Sequence, residues 1–111
     1  MIKTYILLFF LTLKLFANEQ ALLYNGNCTA CHKEDNVKSA PSMREIKKRY
    51  KAAFSEKREF IKYMTQFVID PKEEHSIMSD KIIKYKIMPL LGYEKSVIED
   101  IATYIYEKDF R

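Results

Sequence analysis

The feature that most constrains this chain is a single pentapeptide. Its only two cysteines fall within Cys28-Thr29-Ala30-Cys31-His32, a C-x-x-C-H pattern. Two intervening residues let one helical turn present both sulfurs along the same edge of a porphyrin, where each can add to a vinyl group as a thioether. His32 then follows beneath the ring, where its imidazole can reach the iron as proximal ligand. Three other readings use the same residues. A Cys28–Cys31 disulfide would close a very short loop and constrain little of the unfolded chain, and it leaves His32 without a role. A thioredoxin-like redox pair belongs inside a βαβ pattern, and none flanks the motif. A zinc site could take Cys28, Cys31 and His32 with His75 as fourth ligand, although zinc ligands usually come as two close pairs.

The N-terminus bears on the compartment. Met1-Ile2-Lys3 is a basic start, Tyr5 to Leu13 is an apolar run, and Ala17 is a small residue ahead of polar Asn18-Glu19-Gln20. This pattern predicts a secretory signal over 1–17, leaving 111 − 17 = 94 residues, 18–111, as one domain. The run falls short of the roughly 20 apolar residues of a spanning helix, and Lys14 interrupts it. An uncleaved leader would tether the protein to the membrane. Export places both cysteines where thiols are normally oxidised or capped.

A domain of this size buries only roughly 60 to 65% of its unfolded surface, so a cofactor at its centre would give short helices something to bury against. With two Gly, three Pro and no Trp, the chain lacks the tight turns of a β-sandwich and the Gly-rich loops that cradle phosphates. The formal charge of +4 falls to 17 − 15 = +2 once Lys3 and Lys14 are removed with the leader. That balance is too even for nucleic-acid binding, which uses a clearly basic face.

Apolar residues at helical spacing define the rest. Met43, Ile46, Tyr50 and Phe54 share one face of a helix opened by Pro41-Ser42. Phe60, Met64, Phe67 and Val68 define a second that ends near Asp70-Pro71. Ile77 to Lys86 reads as a further short helix, and Ile98, Ile101, Ala102 and Ile105 are the core face of the last. The prediction is an all-α fold of four to five short helices wrapped around one covalently attached haem. The densest charge run, Lys47-Lys48-Arg49 with Lys51 and Arg44, reads either as a patch that steers an acidic partner or as the solvated face of a helix.

A six-coordinate haem needs a second axial ligand. Met88-Pro89 is the chosen candidate, because Pro89 pushes Met88 out of helical backbone and can lay its thioether over a ring face. A thioether favours Fe(II) and suits an electron carrier. Met43, Met64 and Met78 read as core filling, with Met78 the substitute ligand. His75, within Glu73-Glu74-His75-Ser76, reads as a surface residue.

These residues resemble the class I cytochromes c, monohaem proteins in which an N-terminal helix leads into C-x-x-C-H and a later Met-Pro supplies the sixth ligand. Glu19 to Asn27 is similar to the family's first helix, with Ala21-Leu22-Leu23-Tyr24 as its apolar lead-in. Glu94 to Lys108 resembles the last helix, in which Tyr104-Ile105 packs across the first. The resemblance implies that the carbonyl of Pro41 accepts the ring N–H of His32. Ala40 departs from a common Gly, the stretch Lys84-Tyr85-Lys86-Ile87 is not Gly-rich, and the last helix lacks a Ser, Thr or Asp cap.

The function so implied is that of an exported, periplasmic, monohaem one-electron carrier, not an enzyme. Its cofactor is haem c on Cys28 and Cys31, with His32 and Met88 on the iron. Implied partners are a quinol-oxidising complex, a terminal oxidase or peroxidase, or a periplasmic dehydrogenase that uses this chain as its small electron-accepting subunit. Two alternatives stand beside it: a haem-based small-ligand sensor with an open sixth position, and a non-haem exported binding module with a Cys28/Cys31 disulfide or zinc site.

Overall fold

The computed structural model describes residues 2–35 and 38–110, the side chains of 11–18 excepted. Asn36 of the polar loop and the side chain of Ala17, the expected cleavage residue, lie outside the described residues. All regular structure among the described residues is helical: α1 (Ile2–Asn27), α2 (Met43–Ala53), α3 (Lys57–Ile69), a 3₁₀ turn (Glu73–His75), α4 (Ser79–Tyr85) and α5 (Lys95–Glu107).

The apolar run expected as a leader and the helix expected from Glu19 form one continuous α1, whose 26 residues span about 39 Å. Among its described side chains, those that meet the core lie in its C-terminal part, buried Tyr24 and half-buried Leu23. The apolar side chains of Ile2 and of Tyr5 to Phe10 are all exposed, by 50% or more. Among the described residues no helix is long and apolar enough to cross a membrane.

Ser42 caps α2, its Oγ accepting the N–H of Glu45 at 3.3 Å and satisfying one of the unpaired donors of the first turn. Helix α3 stops at Asp70, where the following Pro71 disfavours helical backbone. The last helix has no side-chain cap at Glu94, as its sequence implies. It starts nonetheless, because four residues at helical spacing are almost wholly removed from water: Ile98, Ile101 and Ile105 at 2–3% exposure and Ala102 at 0%. That burial outweighs a missing cap, which is worth about 1 kcal/mol, since each Ile contributes roughly 2–3 kcal/mol.

Helix α5 packs on α3 and α1. At the second junction the Tyr104 ring lies 5.1 Å from that of Tyr24, the crossing the family resemblance implies. The C-terminal tail adds Phe110, buried and edge-on to Tyr24, a core residue that no periodicity marks because it lies beyond the helix. Two further elements depart from the sequence reading. The 3₁₀ turn at Glu73–His75 has no periodic signal in the sequence, and α4 spans seven residues, shorter than the stretch from Ile77 to Lys86.

The basic run on α2 is largely engaged within the molecule. Arg44 forks onto Asp35 at 2.9 and 3.1 Å, and Arg49 onto Asp80 at 2.5 and 2.6 Å. The ammonium of Lys47 donates to the Lys108 carbonyl, and that of Lys51 lies 4.1 Å above the Tyr106 ring. These contacts tie α2 to its neighbouring elements.

Candidate functional site

The helical path of α1 does not stop at Asn27. Cys28 N–H donates to Tyr24 O at 2.9 Å and His32 N–H to Cys28 O at 2.8 Å, so the C-x-x-C-H segment continues as turns. This spacing sets Cys28 and Cys31 on one side of the chain and delivers His32 after them. Both thiols are free, Cys28 half-buried and Cys31 exposed, so no disulfide joins them. Burial pushes the Cys28 thiol up to about 11.

Beside the motif lies a cavity of about 250 Å³. Cys28, Cys31 and His32 line one part of its wall, followed by Ala40 and Pro41 from the loop that returns to α2. Helix α3 contributes Met64, Phe67 and Val68, and α5 presents its buried isoleucine face. Helix α2 adds Met43, Ile46 and Tyr50, and α4 with its flanking segments adds Met78 before it and Met88 and Pro89 after it. The surroundings are mainly apolar and aromatic, with few polar groups, as expected of a site for a large hydrophobic ligand.

His32 is held in one orientation. Its Nδ1 lies 2.8 Å from the Pro41 carbonyl oxygen, and a carbonyl only accepts, so Nδ1 carries the hydrogen. In the neutral tautomer this leaves Nε2 as the unprotonated nitrogen, the atom that can bind a metal. Met43 N–H donates to Lys33 O at 2.8 Å and closes the loop that carries Pro41. Ala40 sits buried in that loop. Positive φ among the described non-glycine residues is confined to Lys86, so Ala serves at this position without strain.

Four methionines line the cavity: Met43, Met64, Met78 and Met88. The first three are buried at 3–7% exposure, as core-filling side chains are. Met88 is half-buried and lies in the non-helical stretch between α4 and α5, where Pro89 fixes its backbone class. His75 sits apart on the 3₁₀ turn, its Nδ1 donating to Asp70 O at 2.7 Å, and is not among the residues lining the cavity. Among the described residues no three His, Cys, Asp or Glu side chains are grouped to hold a metal ion, so His75 does not complete a zinc site with the C-x-x-C-H residues.

Two features of the site have no counterpart in the sequence reading. Tyr93 donates its hydroxyl to Asn27 Oδ1 at 3.1 Å, joining the segment after Met88 to the end of α1, and both residues line the cavity. Lys86 has a φ of 68°, two residues before Met88. The first is a contact across 66 residues, which no local pattern reveals. For the second the only signal is the absence of Gly in Lys84-Tyr85-Lys86-Ile87, a stretch that must turn sharply.

A family model described as cytochrome c matches residues 17–107. No curated protein and no solved structure matches the chain.

Proposed function

The chain belongs to the cytochrome c family, which carries covalently attached haem c and transfers electrons, and on that premise we propose that it is an exported monohaem carrier moving one electron at a time. In this reading Cys28 and Cys31 would hold the cofactor through thioethers, and His32 and Met88 would ligate its iron. When bound, the haem would supply one-electron redox chemistry.

The chain's own residues do the rest. Pro41 holds the His32 ring with Nε2 free, and the apolar wall of α3 and α5 keeps water from the centre, which together with axial identity sets the potential. The thioether of Met88 is neutral and soft and favours Fe(II). The observation that carries the proposal is the His32–Pro41 hydrogen bond of 2.8 Å at the wall of a cavity that Cys28, Cys31 and Met88 also line.

The exposed apolar side chains of Ile2 and of Tyr5 to Phe10 support a leader over 1–17 that directs export to the periplasm and is cut after Ala17. Partners are then redox proteins of that compartment or its membrane: a quinol-oxidising complex, a terminal oxidase or peroxidase, or a periplasmic dehydrogenase. Encounters with them should be brief and bury less than about 1,200 Å².

Voltammetry of the haem-loaded protein with and without carbon monoxide tests the carrier role. A single reversible one-electron wave that carbon monoxide leaves in place is expected. A wave that shifts on adding the gas, with a reduced iron that binds it at once, would identify a ligand sensor instead.

A further inference from the structure

Lys86 stands at φ 68° and ψ 172°. Residues bearing a Cβ scarcely enter this region of backbone space, whereas glycine occupies it freely. The position is fixed from both sides. Lys86 closes α4 by donating its N–H to Ile82 O at 2.8 Å, and only Ile87 separates it from Met88, whose backbone Pro89 confines to an extended form. The turn from the end of α4 onto the cavity wall is therefore made at this one residue. At the far end of the same segment a glycine does the equivalent work, Gly92 at φ 75°. Helices usually place Gly or Asn where the chain leaves with positive φ. Here a lysine takes the position that leads to Met88.

We infer that Lys86 is a positioning residue whose strained backbone holds the Met88 segment under tension, making Met88 more easily displaced from oxidised iron, for which a thioether has the lower affinity. The inference rests on the reading of Met88 as axial ligand. While the segment delivers Met88 to the cavity, Lys86 is held in its glycine-like conformation. When the segment lets go, Lys86 returns to ordinary φ and the strain is released, so the strain favours displacement. Lys86→Gly removes the Cβ and with it the strain, although glycine's freedom in the released segment offsets part of the gain. Lys86→Ala keeps the Cβ while removing the charge and the long side chain, and so separates backbone from side chain.

The test is a titration of the oxidised, haem-loaded protein with imidazole, following loss of the methionine-to-iron band in the parent, K86G and K86A, together with thermal unfolding of each. K86G should bind imidazole about threefold to thirtyfold more weakly than the parent and melt higher than K86A. K86A should bind imidazole as the parent does. Equal affinities in K86G and K86A, with the band present in the parent, would overturn the tension and leave Met88 as ligand. A parent without the band would overturn the Met88 reading and the inference with it.

Discussion

The hydroxyl of Tyr93 donates to Asn27 Oδ1 at 3.1 Å, and Asn27 Nδ2 donates in turn to Leu23 O at 2.7 Å. Through these two bonds the segment that follows Met88 is fastened to the helix that leads into C-x-x-C-H, so the two walls of the cavity share one anchor.

Tyr93→Phe keeps the ring and deletes the donor, leaving Asn27 Oδ1 half-buried without its partner. A loss of about 1 kcal/mol is expected, which for a domain of this size lowers the melting temperature by about 4–8 °C. Thermal unfolding of parent, Tyr93→Phe, Asn27→Ala and the double variant checks this, and the double variant should lose less than the sum of the singles.

Tyr24 presents the opposite case. It is 1% exposed, its ring packs on Tyr104 and Phe110, and its hydroxyl has no hydrogen-bond partner among the described residues. Burial holds the phenol above its usual range. Tyr24→Phe removes a buried donor that makes no bond while keeping the ring contacts, so the melting temperature should be equal to or above the parent's. A fall of several degrees would mean that the hydroxyl is paired.

Much of this core was legible beforehand. Ile98, Ile101, Ala102 and Ile105 recur at helical spacing and all four are buried, and Ser42 and Pro71 mark where α2 starts and α3 stops, because these signals are local. Cys28, Cys31 and His32 were legible for the same reason, since their chemistry lies in adjacent residues. What the sequence conceals is long-range or conformational. The Tyr93–Asn27 bond and the tucked Phe110 depend on how distant segments meet, and the φ of Lys86 follows from the route the chain takes from α4 to Met88. The continuity of α1 was hidden because a leader and a helix have similar apolar composition.

Asp80 gives the fold a pH dependence. The bidentate Arg49 guanidinium holds its carboxyl below the usual carboxylate range. A group whose folded pKa is depressed contributes stability above its unfolded pKa, and that contribution is lost as pH falls through the folded value. Asp80→Asn should therefore lower the melting temperature slightly near pH 7, with the deficit shrinking as the solution is acidified below about pH 4. Because the pair is exposed the effect is small, and added salt should reduce it further.

Met88 and Met78 both line the cavity, and substitution separates them. Met88→Ala should abolish the methionine-to-iron band and lower the reduction potential by more than about 60 mV, a tenfold change in a one-electron equilibrium. Met78→Ala should keep the band and cost about 2–5 kcal/mol of stability, as the loss of a buried methionine does. The reverse pattern would make Met78 the ligand.

The central claim is that the C-x-x-C-H segment and the cavity beside it hold one covalent, six-coordinate haem. Optical spectra of the exported protein in both oxidation states, followed by denaturation and extraction into acidified solvent, test it most directly. A low-spin spectrum with a methionine-to-iron band is expected when the protein is oxidised, with haem that stays on the polypeptide after extraction. A colourless protein, or haem that leaves with the solvent, would contradict it.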